Sequence, residues 1–157
     1  MVEFAIYESQ FGYWEIRYEG EKVTSLKTIE VTKIKEFGIH TELTDQVFAQ
    51  LQEYFQGKRT NFSFSLELRG TEFQKKVWNV LCQIPYGETR SYKEVAQMIG
   101  NEKASRAVGM ANNKNPILIA IPCHRVVGSD GKLVGYAGGL DMKKYLLDIE
   151  KKLSREN

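Results

Sequence analysis

"SYKEVAQMIGNEKASRAVGMANN", Ser91 to Asn113, contains one short helical pattern and then a second. Ser91 reads as an N-cap with Glu94 three residues on, a pairing in which each side chain satisfies the other's backbone amide, and Gly100 supplies a C-terminal stop. The second helix has an unusual composition. Ala104, Ser105, Ala107, Gly109 and Ala111 leave little side-chain bulk, while Lys103 and Arg106 stand out. Two short helices joined by a tight turn outline a helix-turn-helix, whose second helix lies against DNA; a generic helical bundle has the same outline. Bulk keeps a helix out of a narrow groove, so a small-residue face with one long cation favours the DNA reading, and Arg106 then suits a wedge in the minor groove.

Toward the N-terminus, "TEFQKKVWNVLCQI" places Phe73, Val77, Val80, Leu81 and Ile84 on one helical stripe, with Cys82 close enough to be expected in the core; Pro85 and Gly87 end it. Before Arg69-Gly70 the pattern changes. "FAIYES", "YWEIRYEG" and "KVTSLKTIEV" are rich in aromatic and β-branched residues and are separated by turn signals at Gly12 and Gly20-Glu21, so they predict an antiparallel meander. "TDQVFAQLQEYFQGK" spaces Val47, Phe48, Leu51, Tyr54 and Phe55 as a helix that starts at Thr44/Asp45, stops at Gly57 and covers the sheet. "NFSFSLEL" alternates Phe62, Phe64, Leu66 and Leu68, which predicts a further strand. The expected organisation is α+β in two domains: residues 1–69, a small sheet plus a helix, and residues 70–157, a helical helix-turn-helix domain of winged-helix-like character.

Downstream, Asn115-Pro116 is a turn signal, and the apolar run Ile117 to Ile121 predicts a buried strand or extended segment that leads through Pro122 to "CHRVV". Cys123 beside His124 is either a small buried hydrophobe or a nucleophile with its base, and the dipeptide alone does not decide. The glycine-rich "VVGSDGKLVGYAGG" follows with Tyr136. "LDMKKYLLDIEKKL" then predicts a helix capped by Asp141, with Tyr145, Leu146, Ile149 and Leu153 facing inward. Glu150 lies one position from that face, either solvated or turned toward His124.

The chain has 157 residues, room for one domain or two small ones. Its two cysteines form no CxxC pair and match no Cys/His ligand spacing, so neither a disulfide framework nor a structural metal is indicated, and a reducing, cytoplasmic location is expected. No apolar run approaches the roughly 20 residues of a membrane span, so no membrane partner is expected. The net charge of +2 hides an asymmetry: residues 1–69 carry 8 Lys+Arg against 11 Asp+Glu, or −3, and residues 70–157 carry 14 against 9, or +5. A basic second half suits a polyanion partner, although ordinary sampling of surface charge produces the same figure.

Taken together, "PCHRVV", the Asn-Pro and apolar run before it, "SYKEVA", "ASRAVG" and "GYAGGL" resemble the O6-alkylguanine-DNA alkyltransferases, the methylated-DNA-protein-cysteine methyltransferases. The resemblance covers essentially all of residues 70–157; residues 1–69 are only loosely similar to that family's ribonuclease-H-like domain. It implies direct repair of double-stranded DNA containing O6-alkylguanine, and of O4-alkylthymine, by one irreversible transfer to Cys123 in a monomer without cofactor. His124 corresponds to the water-linked general base, Glu150 to the carboxylate that orients it, and Asn115 to the hinge asparagine. Tyr92 corresponds to the tyrosine that helps rotate the nucleotide and donates to the purine, and Arg106 to the finger that fills the vacated stack. Further DNA contacts are implied at Ser91, Lys103, Ala104, Gly109, Lys114 and Arg125. Val126, Tyr136 and Ala137 are implied to wall the base pocket, Ala137 being a departure from relatives with serine there, and the zinc site of some members has no ligands here. Three other readings compete: a non-catalytic lesion binder, which lacks the acceptor cysteine; a helix-turn-helix regulator, which needs no thiol; and a cysteine hydrolase, which needs no small-residue basic helix.

Overall fold

A computed structural model describes residues 1–156, which divide into two units, Met1–Arg69 and the residues from Gly70 onward. In the first, strands β1 (Glu3–Ser9), β2 (Gly12–Glu19) and β3 (Lys22–Ile29) pair antiparallel in the order β1-β2-β3. Gly12 and Gly20 carry the positive φ that the two tight reversals demand. Trp14, Ile16 and Tyr18, alternate residues of β2, are buried on one face. Helix α1 (Glu42–Phe55) contributes Leu43, Val47, Leu51, Tyr54 and Phe55 to the same core.

Two expectations for this unit need correction. Helix α1 starts earlier than Thr44/Asp45: Thr41 is the N-cap, accepting from the Thr44 amide, while the Thr44 hydroxyl accepts from the Thr41 amide, so Thr44 is the third helical residue. "NFSFSLEL" forms no strand beyond a single parallel bridge, Val23 to Leu66, closed by Val23 N–H to Ser65 O and Glu67 N–H to Val23 O. Its alternation does not correspond to burial, since Phe64 is in the core and Leu66 is 37% exposed.

The second unit is built from α2 (Glu72–Leu81), α3 (Tyr92–Met98), α4 (Ser105–Asn113) and α5 (Leu140–Glu156). Val77, Trp78 and Leu81 of α2 meet Val95 and Ala96 of α3 and Val108 and Ala111 of α4 in the core. The Trp78 indole donates to Ala111 O at 2.9 Å, which fixes α2 against α4. Ser91 caps α3 with Glu94 in the predicted reciprocal pair. A two-stranded parallel sheet, β4 (Arg90–Ser91) with β5 (Val126–Val127), sets the start of α3 beside the segment that follows Cys123.

Three local expectations fail here. Cys82 is exposed, because α2 ends at Leu81 and Ile84 takes the next buried position. The run Ile117 to Ile121 is buried but folds as a tight turn: Ile119 has φ 73°, Ala120 N–H donates to Leu118 O, and Ile121 N–H donates to Ile117 O. Asp141 lies in the first turn of α5, not at its cap, and the buried face of that helix is Met142, Lys143, Leu146 and Glu150, with Tyr145, Ile149 and Leu153 only half-buried. Among the described residues no helix is long and apolar enough to cross a membrane.

Candidate active site

Pro122 leads into a single 3-10 turn, Cys123–Arg125, which presents the thiol, the imidazole and the guanidinium in successive positions. All three residues are buried. Asn115 secures the approach: its amide nitrogen donates to Ile121 O at 2.7 Å and its oxygen accepts from the Ile117 amide at 2.9 Å, closing the turn ahead of Pro122. Burial pushes the Cys123 thiol up to about 11, against the opposing effects of a hydrogen bond with Asn115 and the positive charge of Lys143. The resting sulfur is therefore a protonated thiol at neutral pH.

Glu150 is turned inward and is fully buried. One carboxylate oxygen, Oε2, lies 2.7 Å from His124 Nε2 and accepts from Arg125 Nη2 at 3.0 Å; the other accepts from Arg125 Nε at 2.9 Å and the Gly87 amide at 3.1 Å. Burial alone would raise this carboxyl, but the bonds and charges of His124 and Arg125 outweigh it and hold Glu150 at about 2. Burial pushes His124 below its ordinary value despite the Glu150 bond, so the imidazole is neutral at pH 7 and Arg125 is the standing counter-charge. An ionised Glu150 accepts the Nε2 hydrogen, which leaves Nδ1 as the basic nitrogen of the ring.

Arg125 thus departs from its expected place on DNA. Its guanidinium faces inward to Glu150, donates to Ile84 O at 2.7 Å and sits 5.5 Å from the centre of the Tyr86 ring, because Glu150 is the carboxylate a buried guanidinium requires. Ala104 is also buried, at the N-cap of α4, so its methyl belongs to the core and not to a contact surface. Lys103, Arg106 and Lys114 remain exposed and form no ion pair among the described residues. The Ser91 hydroxyl is used as the cap acceptor of α3.

A shallow groove of about 570 Å³ is lined by Tyr92, Arg106, Gly109, Met110 and Asn113, and by the Val134-Gly135 loop. Tyr92 donates to Val134 O at 3.2 Å, and burial raises its phenol above the ordinary value, so it stays a donor. A Cβ at Gly109 would meet the Tyr92 ring at 3.7 Å, an ordinary van der Waals contact. Tyr136 stands edge-on to His124, ring centres 6.4 Å apart, and its buried hydroxyl has no hydrogen-bond partner among the described residues. Val126 is buried and Ala137 exposed.

The residue that the sequence reading missed is Lys143. It is fully buried on α5, and its ammonium donates to Val126 O at 2.6 Å, Val134 O at 3.1 Å and Gly135 O at 3.2 Å. One side chain therefore ties the segment after Cys123 to the loop that carries Tyr136. The signal was present as a spacing of seven between Lys143 and Glu150, which puts both on one helical face.

Residues 72–152 match the family described as the 6-O-methylguanine DNA methyltransferase DNA binding domain, and residues 2–68 match its ribonuclease-like domain. A methylated-DNA-protein-cysteine methyltransferase of Methanosarcina acetivorans is 49% identical over 94% of this chain and 97% of its own. One from Methanosarcina barkeri is 63% identical over a stretch that is 64% of each chain. The crystal structure of Mycobacterium tuberculosis OGT in complex with DNA is 44% identical, covers 96% of this chain and 93% of that one, and superposes with a TM-score of 0.86. Identity at this level along nearly the whole of both chains, in each of the two units, means that the protein belongs to the methylated-DNA-protein-cysteine methyltransferase family.

Proposed function

We propose that this protein repairs duplex DNA by taking the alkyl group of O6-alkylguanine, and of O4-alkylthymine, onto Cys123, once per molecule. The observation that carries this reading is a buried thiol one residue from an imidazole whose Nε2 is held by an ionised carboxylate. The resting thiol is protonated, so the reaction needs a base at the moment of attack. Nδ1 of His124 takes the thiol proton through an intervening water, Glu150 stabilises the resulting imidazolium, and the sulfur electron pair attacks the saturated carbon. The S–C bond forms, the C–O6 bond breaks, and its electrons return to the purine. Tyr92 eases that charge by donating to the base, for which it must leave Val134 O. The thioether has no carbonyl for water to attack, so no step regenerates the thiol.

The target carbon is inaccessible inside a base pair, so the nucleotide must leave the stack at a cost of a few kcal/mol. Arg106, exposed on a helix of small side chains, offsets that cost by filling the gap. Lys103 and Lys114 neutralise phosphate. Asn115 serves as the hinge that shapes the turn before the acceptor. A non-catalytic lesion binder would not need the thiol and its hydrogen-bonded base.

The test is incubation with a duplex bearing one O6-methylguanine, followed by nucleoside analysis. The methyl group is expected to leave the DNA, and its persistence would overturn the reading. Arg106→Ala is expected to lose more activity on duplex than on a free O6-alkylguanine base. Tyr92→Phe loses the donor on both substrates, at a cost of about 10²-fold. Equal losses for Arg106→Ala on the two substrates would remove the finger assignment.

A further inference from the structure

Met110 is 67% exposed, an unusual state for a long apolar side chain, on a helix that otherwise carries the small residues Ala107, Gly109 and Ala111. It stands one turn beyond Arg106, so the two share a face of α4, and both line the shallow groove with Tyr92 and Gly109. Isolated exposed apolar residues are common and need no account. Met110 differs in its setting: it is flanked by the exposed cations Arg106, Lys103 and Lys114, whose charge suits a polyanion and not an apolar protein surface. Methionine is unbranched and polarisable and adapts to irregular gaps, and minor-groove proteins press such side chains between base steps.

We propose that Met110 is a second, apolar wedge that presses against the base step beside the one Arg106 fills, holding the duplex open while the nucleotide is out of the stack. This rests on the reading of α4 as the DNA-contacting helix. The two wedges have different electrostatic signatures. Arg106 carries a positive charge into the groove, releases condensed counterions and so steepens the salt dependence of binding, whereas Met110 displaces no counterion and leaves the slope alone.

The test compares Met110→Ala, Met110→Leu and Arg106→Ala by fluorescence anisotropy on a duplex containing O6-methylguanine, across a salt series. A second duplex carries 2-aminopurine at the step next to the lesion, to read unstacking. Met110→Ala is expected to weaken binding about fivefold at every salt concentration, with an unchanged slope. It should also diminish the 2-aminopurine signal, while Met110→Leu keeps most of both. Wild-type affinity and signal in Met110→Ala, beside weakened binding and a shallower slope in Arg106→Ala, would overturn the wedge alone. Wild-type behaviour in both variants would overturn the reading of α4 itself.

Discussion

Replacing Glu150 with Gln is expected to slow alkyl transfer by about 10²–10³-fold and to destabilise the second unit by about 3 kcal/mol. The carboxylate accepts from His124, two guanidinium nitrogens of Arg125 and the Gly87 amide. An amide offers one acceptor oxygen in place of two, and its nitrogen would point a donor at donors. The substitution also leaves the Arg125 guanidinium buried without its counter-charge. At 4–8 °C per kcal/mol for a domain of this size, the midpoint of thermal unfolding should fall by roughly 12–24 °C. Single-turnover rates and a melting curve of the same sample check both effects. A variant that melts and reacts like wild type would mean that the buried pair does neither job.

The same cluster sets the pH range of stability. His124 has its folded value lowered by burial, so below its ordinary value of about 6.5 the unfolded chain binds a proton that the folded one refuses, and stability falls. Glu150 acts in the same direction at lower pH: its contribution is present above about 4.5 and is lost as pH falls through about 2. Cys123 acts at the other end. Its folded value is raised from 9.0 to about 11, so its contribution is complete below 9.0 and is lost as pH rises through 11. Two units on a buried thiol correspond to on the order of 2–3 kcal/mol. Urea midpoints from pH 4 to 10 should decline at both ends, and Cys123→Ala should shrink the alkaline decline, to which the burial-raised Cys82 thiol and the Tyr92 and Tyr136 phenols also contribute, while retaining the acid one. A profile flat below pH 6 would contradict the buried, neutral imidazole.

What the sequence revealed, and what it did not, follows from the reach of each interaction. The Ser91–Glu94 cap closes within four residues, so it was legible and is present. The three strands of the meander were legible for the same reason, since adjacent pairing and glycine turns are local signals. The family resemblance implies a DNA contact at Arg125, and no local pattern corrects it, because its carboxylate partner is 25 residues away on α5. Lys143 was lost among the neighbouring lysines of α5, and nothing local announces that three loop carbonyls converge on it. The apolar run Ile117 to Ile121 was rightly read as buried and wrongly as extended, because burial does not fix φ and Ile119 takes a positive one. Cys82 was expected in the core because it borders the apolar stripe, but the helix ends one residue before it.

The exposure of Cys82 bears on the central claim, since an exposed thiol is the one that indiscriminate alkylation would modify first. Intact-protein mass followed against time with excess O6-methylguanine duplex, with peptide mapping of the product, separates the two sites. One methyl group is expected per molecule, on buried Cys123 and not on Cys82, after which repair stops; Cys123→Ala should gain none. Several lesions repaired per molecule, or a methyl group found mainly on Cys82, would contradict single, irreversible transfer to Cys123.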